Sequence, residues 1–241
     1  MLKKGSVLQG QHTTYRIQRV VYRRGKHSVV YEAVATDTEE RVIVKEWQEG
    51  YKEHLKGIRN SVAREIDTLQ NIRKHPSTAG AIIKVRDRIS QPLAYVMDYL
   101  PQNAYDWYKV RERGCLSSLL PINRRSDAAI KDLVIKVGAA ISEVHQAGYV
   151  HVDIKPENIR INKHGDPVLC DFSSAQPKQP FDPNIIQPTR EYFPPGDPSR
   201  FQKNENPEKI DIYGLAATFY ELFEGTPPPK KKEEVTYSHT P

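Results

Sequence analysis

The sequence predicts an α+β protein of 241 residues, in which a mainly β part at residues 1–100 precedes a mainly helical part at residues 101–225. Two observations support this prediction. Runs rich in Val, Tyr and Ile alternate with polar residues in the first part, which is typical of half-buried strands. Apolar residues recur three or four positions apart in the second part, which is typical of helices. Residues 226–241, TPPPKKKEEVTYSHTP, are predicted to form a disordered tail because they lack the apolar content of a core.

The first part is predicted to hold five antiparallel strands and one helix. The strands are expected at residues 15–22, 28–36, 41–47, 81–89 and 93–99. Residues 60–74 carry apolar side chains at helical spacing, and either Asn60 or Ser61 can cap the start of this helix. Pro76 ends the helix, because proline and the residue before it disfavour helical backbone.

The second part is predicted to be helical, with one long loop. A short helix is expected at residues 103–112, and a long one at residues 126–147 between a serine cap and a glycine stop. A final, buried helix is expected at residues 208–223. The proline-rich stretch at residues 174–207 favours an extended loop, since proline restricts its own backbone and that of the residue before it.

Composition argues against several classes of protein. The chain carries 36 basic and 30 acidic residues, a net charge of +6, and no apolar run long enough for a membrane span or a secretory signal. Cys115 and Cys170 are its two cysteines, which argues against a disulfide scaffold and predicts a reducing, cytoplasmic location. The basic surplus lies in residues 1–31 and is interpreted as a solvated sheet face, with nucleic acid, an anionic membrane or an acidic partner as alternatives. The sequence contains no recognised nucleic-acid motif, so no nucleic-acid partner is expected.

The most informative segment is residues 151–172, HVDIKPENIRINKHGDPVLCDF. It contains four residues with the chemistry of a phosphate site, which are Asp153, Lys155, Asn158 and Asp171. Two carboxylates, an amide and an ammonium at this spacing suit one task, which is to hold a metal-bound triphosphate against a hydroxyl nucleophile.

This segment resembles the catalytic loop and metal-binding aspartate of eukaryotic-type serine/threonine protein kinases, whose pattern is H-R-D-x-K-P-x-x-N followed by D-F-G. Val152 stands in place of the family's arginine and Ser173 in place of its glycine. The resemblance covers residues 10–225 and implies the two-lobed protein-kinase-like fold, with a C-lobe that lacks the last helices. It also implies transfer of the γ-phosphoryl group of ATP, with Mg²⁺, to serine or threonine hydroxyls of a protein substrate.

The resemblance implies a role for each residue of this segment. Asp153 would accept the proton of the substrate hydroxyl, and Lys155 would neutralise charge on the transferred phosphoryl group. Asn158 and Asp171 would ligate Mg²⁺, which prefers oxygen ligands. Asp211, in the last predicted helix, resembles the buried aspartate that fixes the backbone of the catalytic loop.

The first part of the chain carries further resemblances to the nucleotide site of kinases. Lys45, at the end of VIVK, would pair with the α- and β-phosphates of ATP and would itself be held by Glu65. The backbone carbonyl of Asp98 and the backbone amide of Leu100 would bind adenine. Val30 would cover the adenine ring.

Several positions depart from the family pattern. Only Gly25 survives of the three glycines in the loop that covers the phosphates, so nearby basic side chains replace the others or the loop does not close on ATP. Arg160 stands where an apolar floor is usual, and it either stacks beneath the purine or turns to solvent. Val152 replaces the arginine that grips a phosphorylated activation loop, which predicts activity without that phosphorylation. Loss of the last helices would leave an apolar face near the final helix for a protein partner.

The sequence leaves three functions open. The intact residues of the nucleotide and catalytic sites favour an active serine/threonine protein kinase. The altered glycine loop and Arg160 favour a pseudokinase or a nucleotide-binding scaffold. A small-molecule phosphotransferase with the same two-lobed fold is the third alternative, which the DIKPEN motif and Thr189 disfavour.

Overall fold

The computed structural model describes residues 2–24, 28–47, 55–74, 81–90, 93–110, 123–124, 126–186, 189–203 and 206–229. The chain divides into two compact units. Unit 1 comprises residues 1–70 and 83–100, and unit 2 comprises residues 71–82 and 101–241. Of the described residues, 71–74 and 81–82 therefore group with the helical part of the chain, whereas the division made from the sequence placed them with the β part.

Unit 1 is built on a six-stranded antiparallel sheet. Its strands are β1 (Val7–Gln9), β2 (Thr14–Arg24), β3 (Ser28–Ala35), β4 (Arg41–Trp47), β5 (Val85–Ile89) and β6 (Ala94–Asp98). Their spatial order is β1-β2-β3-β4-β6-β5. The prediction of five strands was one strand short, because β1 has only 3 residues and is too short to show alternation. β5 is shorter than the predicted strand at residues 81–89.

Successive side chains of β4 point to opposite faces of the sheet, and β4 has buried side chains on both faces. Val42 and Val44 belong to the core cluster on one face. Trp47 belongs to a second cluster, in which it packs with side chains of helix α1 (Leu55–Arg73). Lys45 lies on the same face as Trp47, because residues two apart on a strand point to the same side. The pleat therefore directs the Lys45 side chain toward α1.

Helix α1 confirms the predicted helical spacing but begins earlier than predicted. It starts at Leu55 instead of near Asn60, and it ends at Arg73. The apolar side chains that repeat at the predicted positions are all buried, and they are Val62, Ile66, Leu69 and Ile72. This buried stripe explains why the segment is helical, since burial supplies most of the stability of a helix in a protein.

Unit 2 is mainly helical and contains several very short strands. Its helices are α2 (Ala104–Tyr108), α3 (Asp127–Gln146), α4 (Arg200–Lys203) and α5 (Glu208–Glu224). Its strands are β7 (Gln102–Asn103), β8 (Lys109–Val110), β9 (Asn123–Arg124), β10 (Tyr149–Val150), β11 (Ile159–Ile161), β12 (Pro167–Leu169) and β13 (Gln176–Pro177). Helices α3 and α5 pack against each other, and β11 pairs with both β7 and β12.

The two long helices of unit 2 confirm the sequence prediction to within a residue or two. Ser126 caps α3 by accepting a hydrogen bond from the backbone of Ala129, and Gly148 follows the helix with a left-handed φ of 88°. The predicted helix at residues 103–112 was too long, because the chain leaves α2 after Tyr108 and enters the ladder between β8 and β9.

The proline-rich segment at residues 174–207 is largely irregular, as predicted. Single 3₁₀ turns at Pro183–Ile185 and Arg190–Tyr192 interrupt it, and the short helix α4 lies near its end. An apolar cluster joins this segment to residues before and after it, and its members are Val150, Val152, Phe181, Phe193, Phe201 and Ile210. This group is called the apolar cluster below.

Two predictions concern the ends and the surface of the chain. Most of the predicted disordered tail, residues 230–241, lies outside the described residues. Within the described ranges, no helix combines the length and the apolar character needed to cross a bilayer. Helix α5 exposes Ile212 and Tyr220, whose exposed fractions are 55% and 42%.

Candidate active site

The loop that follows β10 is fixed by one buried carboxylate. Asp211, in the first turn of α5, is fully buried and accepts backbone hydrogen bonds from His151 at 2.8 Å and from Val152 at 2.7 Å. His145, near the end of α3, contacts the same carboxylate through Nε2 at 2.8 Å. Val152 adopts a left-handed φ of 72°, which is costly for a β-branched residue. Asp211 therefore holds the loop in a conformation that the loop would not adopt by itself.

A glycine in α5 allows the loop to lie against the helix. A Cβ atom added to Gly214 would lie 2.9 Å from the backbone oxygen of Ile154 and 3.3 Å from the backbone oxygen of Tyr192. Side chains do not tolerate a contact of 2.9 Å with backbone, so only glycine permits this approach. The same helix thus supports both the loop and the segment around Tyr192.

His151 is a structural residue in this loop. It is fully buried, and its ring lies 4.5 Å from the ring of Phe172, measured between centroids. Its Nδ1 faces the backbone N–H of Asp153 at 3.4 Å, and its Nε2 lies 3.1 Å from the carbonyl oxygen of Cys170. Burial lowers the pKa of His151 below its ordinary value, although the carboxylates of Asp211 and Asp153 partly oppose this shift. A neutral ring with the proton on Nε2 satisfies both contacts.

Asp153 lies at the centre of the site and is 2% exposed. Its Oδ2 accepts hydrogen bonds from Lys155 Nζ at 2.8 Å and from Asn158 Nδ2 at 3.0 Å. Its Oδ1 accepts a hydrogen bond from the hydroxyl of Thr189 at 2.8 Å. Asn158 Nδ2 also donates to the backbone oxygen of Asp153 at 2.8 Å. The structure thus brings together three residues that the sequence predicted to act together, and it fixes the orientation of the central carboxylate.

Thr189 is a member of this group whose contacts the sequence did not predict. Its hydroxyl lies 2.7 Å from Lys155 Nζ. Thr189 contacts Asp153 although it follows Asp153 by 36 residues in the sequence. In the sequence, Thr189 served as an argument against a small-molecule phosphotransferase, but spacing along the chain cannot show which side chain returns to Asp153. Tyr192 anchors the same segment by donating a short hydrogen bond to Glu221 of α5. Burial raises the pKa of the Tyr192 hydroxyl, so it remains a donor at neutral pH.

Asn158 and Asp171 carry the oxygen atoms that suit a magnesium ion. Asn158 uses its amide nitrogen for both bonds to Asp153, so the amide oxygen is the atom that it can offer to a cation. The backbone N–H of Cys170 donates to the backbone carbonyl oxygen of Asn158 at 2.9 Å. This bond joins the residue before β11 to the residue after β12. Asp171 has a left-handed φ of 62°, and its carboxylate accepts a hydrogen bond from Ser173 at 2.8 Å.

The oxygen atoms of Asn158 and Asp171 fit a magnesium ion better than they fit a metal ion whose ligands all come from the protein. Among the residues that the structure describes, no three His, Cys, Asp or Glu side chains gather into a metal-binding group. Magnesium is commonly bound by one or two protein oxygens, with phosphates and water completing the octahedron. One amide and one carboxylate therefore suffice for a Mg²⁺ ion that is bound together with a nucleotide.

Unit 1 contains the predicted lysine–glutamate pair. Lys45 Nζ lies 2.9 Å and 3.1 Å from the two carboxylate oxygens of Glu65. The two side chains are only 6% and 1% exposed, and the Tyr95 hydroxyl donates to Glu65 Oε1 at 3.0 Å. The Lys45 ammonium also lies 4.9 Å from the centroid of the Trp47 ring. The pair is thus buried, hydrogen-bonded and supported by aromatic rings, which fixes the position of the ammonium.

The remaining predicted residues of the nucleotide site are distributed as follows. Val30 lies in β3 opposite Lys45 of β4, Asp98 ends β6, and Leu100 is the last residue of unit 1. Gly25 lies outside the described residues, so its predicted role stays a prediction. Arg160 lies in β11, paired with β7 and β12.

The chain is similar to known proteins over most of its length. Residues 23–240 match the family model described as "Protein kinase domain". Among curated proteins, the chain is 30% identical to protein kinase gsk31 of Schizosaccharomyces pombe over 139 residues, which are 56% of this chain and 34% of the relative. It is 29% identical to mitogen-activated protein kinase 13 of Oryza sativa subsp. japonica over 229 residues, or 90% of this chain and 42% of the relative. It is 27% identical to an Aurora kinase of Debaryomyces hansenii over 189 residues, or 77% of this chain and 44% of the relative.

Each match spans less than half the length of the relative. The family match covers most of the chain and includes every described residue of the Asp153 group and of the Lys45–Glu65 pair. It confirms the α+β fold class and the resemblance to eukaryotic serine/threonine protein kinases. This chain therefore belongs to the protein kinase domain family.

Proposed function

We propose that this chain transfers the γ-phosphoryl group of ATP, together with Mg²⁺, to serine or threonine hydroxyls of a protein. The observation that carries the proposal is the Asp153 carboxylate, which is buried and oriented by Lys155, Asn158 and Thr189. A carboxylate held in this way can accept the proton of a substrate hydroxyl without first reorganising.

Asp153 and Lys155 have different roles in the transfer. The hydroxyl proton passes to the Asp153 carboxylate as the hydroxyl oxygen forms a bond to the γ-phosphorus, and the bond from that phosphorus to the ADP oxygen breaks. Lys155 Nζ lies 2.8 Å from Asp153, and its positive charge would neutralise charge on the transferred group. Phosphoryl transfer depends mainly on alignment and charge neutralisation, so these fixed groups supply the chemistry that the protein needs.

The remaining roles follow from the chemistry of the donors. Lys45 would contact the α- and β-phosphates, with its ammonium held in place by Glu65. The Asn158 amide oxygen and the Asp171 carboxylate would hold Mg²⁺, which shields the charge of the phosphates when it is bound. The backbone groups of Asp98 and Leu100 would bind adenine. A protein partner at the α5 surface that exposes Ile212 and Tyr220 belongs to the same proposal.

The test is transfer of ³²P from ATP to the chain itself and to a generic protein acceptor. We expect Asp153→Ala and Lys45→Ala each to lower transfer by about 10²-fold or more, because each removes a group that acts in the transition state. Asp166→Ala is the matched control. Asp166 lies in the turn between β11 and β12. Its side chain is 51% exposed and pairs with Lys136, so this variant should retain wild-type transfer.

Two outcomes would overturn the proposal. Transfer that survives both Asp153→Ala and Lys45→Ala would place the chemistry elsewhere. Absence of transfer, combined with stabilisation by ATP and Mg²⁺ in thermal unfolding, would support the pseudokinase or scaffold alternative.

A further inference from the structure

Two arginines flank the end of β6, where the chain leaves the sheet of unit 1. Arg86 Nε donates a hydrogen bond to Asp98 Oδ1 at 2.5 Å. Arg41 Nη2 lies 2.5 Å from the hydroxyl of Tyr99, and the Arg41 guanidinium carbon lies 3.9 Å from the centroid of the Tyr99 ring. Arg86 of β5 therefore holds the side chain of Asp98, and Arg41 of β4 holds the side chain of Tyr99. Both strands neighbour β6 in the sheet.

A bulge in β5 explains why Arg86 can reach Asp98. Val85 pairs with Met97 and Asp87 pairs with Val96, so Arg86 is the additional residue on the β5 side of the ladder. A bulge of this kind turns a side chain away from its regular direction. In β4, Val42 pairs with Asp98, so Arg41 precedes the paired residue and lies beside Tyr99.

Each arginine is also held by a glutamate. Arg86 makes two bonds to Glu40, with distances of 2.5 Å and 3.0 Å. Arg41 donates to Glu32 at 2.6 Å and 2.9 Å, and the Glu32 side chain is only 9% exposed. The planar guanidinium groups therefore have fixed positions before they contact residues 98 and 99.

These contacts are too exposed to matter much for the stability of the fold. The side chains of Arg41 and Arg86 are 52% and 32% exposed, and solvent weakens ion pairs at such positions. Their main effect is local, because they restrict the side chains on both sides of the Asp98–Tyr99 peptide. Fixing these side chains limits the backbone rotations available to the segment that ends at Leu100.

We propose that Arg41 and Arg86 are positioning residues that preorganise residues 98–100 for the adenine ring of ATP. This inference rests on the proposed function, in which the Asp98 carbonyl and the Leu100 N–H bind adenine. A segment that is already ordered loses less conformational entropy on binding, so affinity rises without any new contact to the ligand. Neither arginine takes part in phosphoryl transfer itself.

The test measures binding and turnover separately on the full chain. Isothermal titration gives the Kd for Mg–ATP and for adenosine, and steady-state kinetics give KM for ATP and kcat. The variants are Arg41→Ala, Arg86→Ala and the double variant. We expect each single change to raise both Kd values about threefold to fivefold and the double change to raise them about tenfold, with kcat within about twofold of wild type.

Two controls separate positioning from a general structural effect. Arg16→Ala removes an ion pair between Arg16 of β2 and Glu39, at 3.4 Å, and β2 does not neighbour β6 in the sheet. This variant should leave Kd, KM and kcat unchanged. Arg86→Lys keeps the charge and should recover part of the affinity for both ligands. Arg41→Gln and Arg86→Gln replace any alanine variant whose circular dichroism shows that it is not folded.

The outcomes distinguish this inference from the function on which it rests. If the wild type binds ATP and the double variant binds ATP and adenosine as tightly, the inference is wrong and the proposed function stands. A loss of kcat at unchanged Kd would also contradict positioning by these arginines. A wild-type chain that binds no ATP would overturn both.

Discussion

Two glycines in the long helices of unit 2 provide a paired test of how the active-site loop is supported. Gly214 lies in α5 and Gly138 in α3, and both helices are regular around these positions. Replacing glycine by alanine inside a helix normally stabilises the helix by about 0.5–1 kcal/mol. We expect Gly138→Ala to show this gain and Gly214→Ala to show a net loss.

The difference follows from what a new Cβ atom would meet. At Gly138 the nearest atom is a methyl group of Leu215 at 3.7 Å, which is an ordinary contact. At Gly214 the Cβ would lie 2.9 Å from the Ile154 backbone oxygen and 3.1 Å from the Ile154 Cβ. Backbone cannot move aside as a flexible side chain can, so the loop and the helix must separate. Overpacking of this kind costs about 1–3 kcal/mol, which exceeds the gain in helix propensity.

The measurement is urea unfolding of wild type and both variants, combined with ³²P transfer. We expect Gly214→Ala to lower the free energy of unfolding by about 1–2 kcal/mol and to lower transfer, because Ile154 directly follows Asp153. Gly138→Ala should raise the free energy of unfolding and leave transfer unchanged. Equal stabilisation by the two substitutions would refute the reasoning, since it would mean that α5 and the loop are not in close contact.

Three further predictions concern the buried polar groups. Asp211→Ala should lower the free energy of unfolding by about 3 kcal/mol or more in a urea titration, because it leaves two buried N–H groups without their acceptor. Glu65→Gln should cost about 3 kcal/mol in the same assay by leaving the Lys45 ammonium buried without its countercharge, and a Lys45→Met, Glu65→Leu double variant should recover at least half of that loss. His151 should make stability depend on pH. Its pKa is lower in the folded state, so unfolding takes up a proton and stability falls as the pH decreases below about 6.5. His151→Asn should weaken this dependence when wild type and variant are compared at pH 7.5 and 5.5.

Each of these predictions has a result that would contradict it. An Asp211→Ala variant as stable as wild type would show that the Asp211 carboxylate does not stabilise the backbone conformation of the loop. A double variant that is no more stable than Glu65→Gln would show that the cost does not arise from an unpaired charge. Identical pH profiles for wild type and His151→Asn would mean that the ring is not held neutral in the fold.

The sequence predicted the long helices and the chemistry of the site for related reasons. Apolar periodicity marks α3 and α5 because one face of each helix is buried in unit 2. Asp153, Lys155 and Asn158 lie within six consecutive residues, so local spacing brings them together once the loop is formed. For these features, the neighbours in space are also neighbours in the sequence.

Other features were not predictable because they depend on pairing between distant segments. The contact between Thr189 and Asp153 spans 36 residues and requires the whole intervening segment to fold back. The left-handed backbone of Val152 runs against its own preference and exists because Asp211 accepts its N–H. The position of Arg86 depends on a one-residue bulge, which leaves no signal in the alternation of a five-residue strand.

The apolar cluster has a consequence for how the segment after Asp171 stays in place. Val152 contributes a hydrocarbon side chain to this cluster, with Phe181 and Phe193 from the segment itself. Contacts of this kind weaken on cooling and strengthen with sulfate, and a rise in ionic strength does not screen them. The ordering of this segment should therefore respond to temperature and to the choice of co-solute. Because the side chains of the cluster carry no charge, treatment with a phosphatase should leave this ordering unchanged.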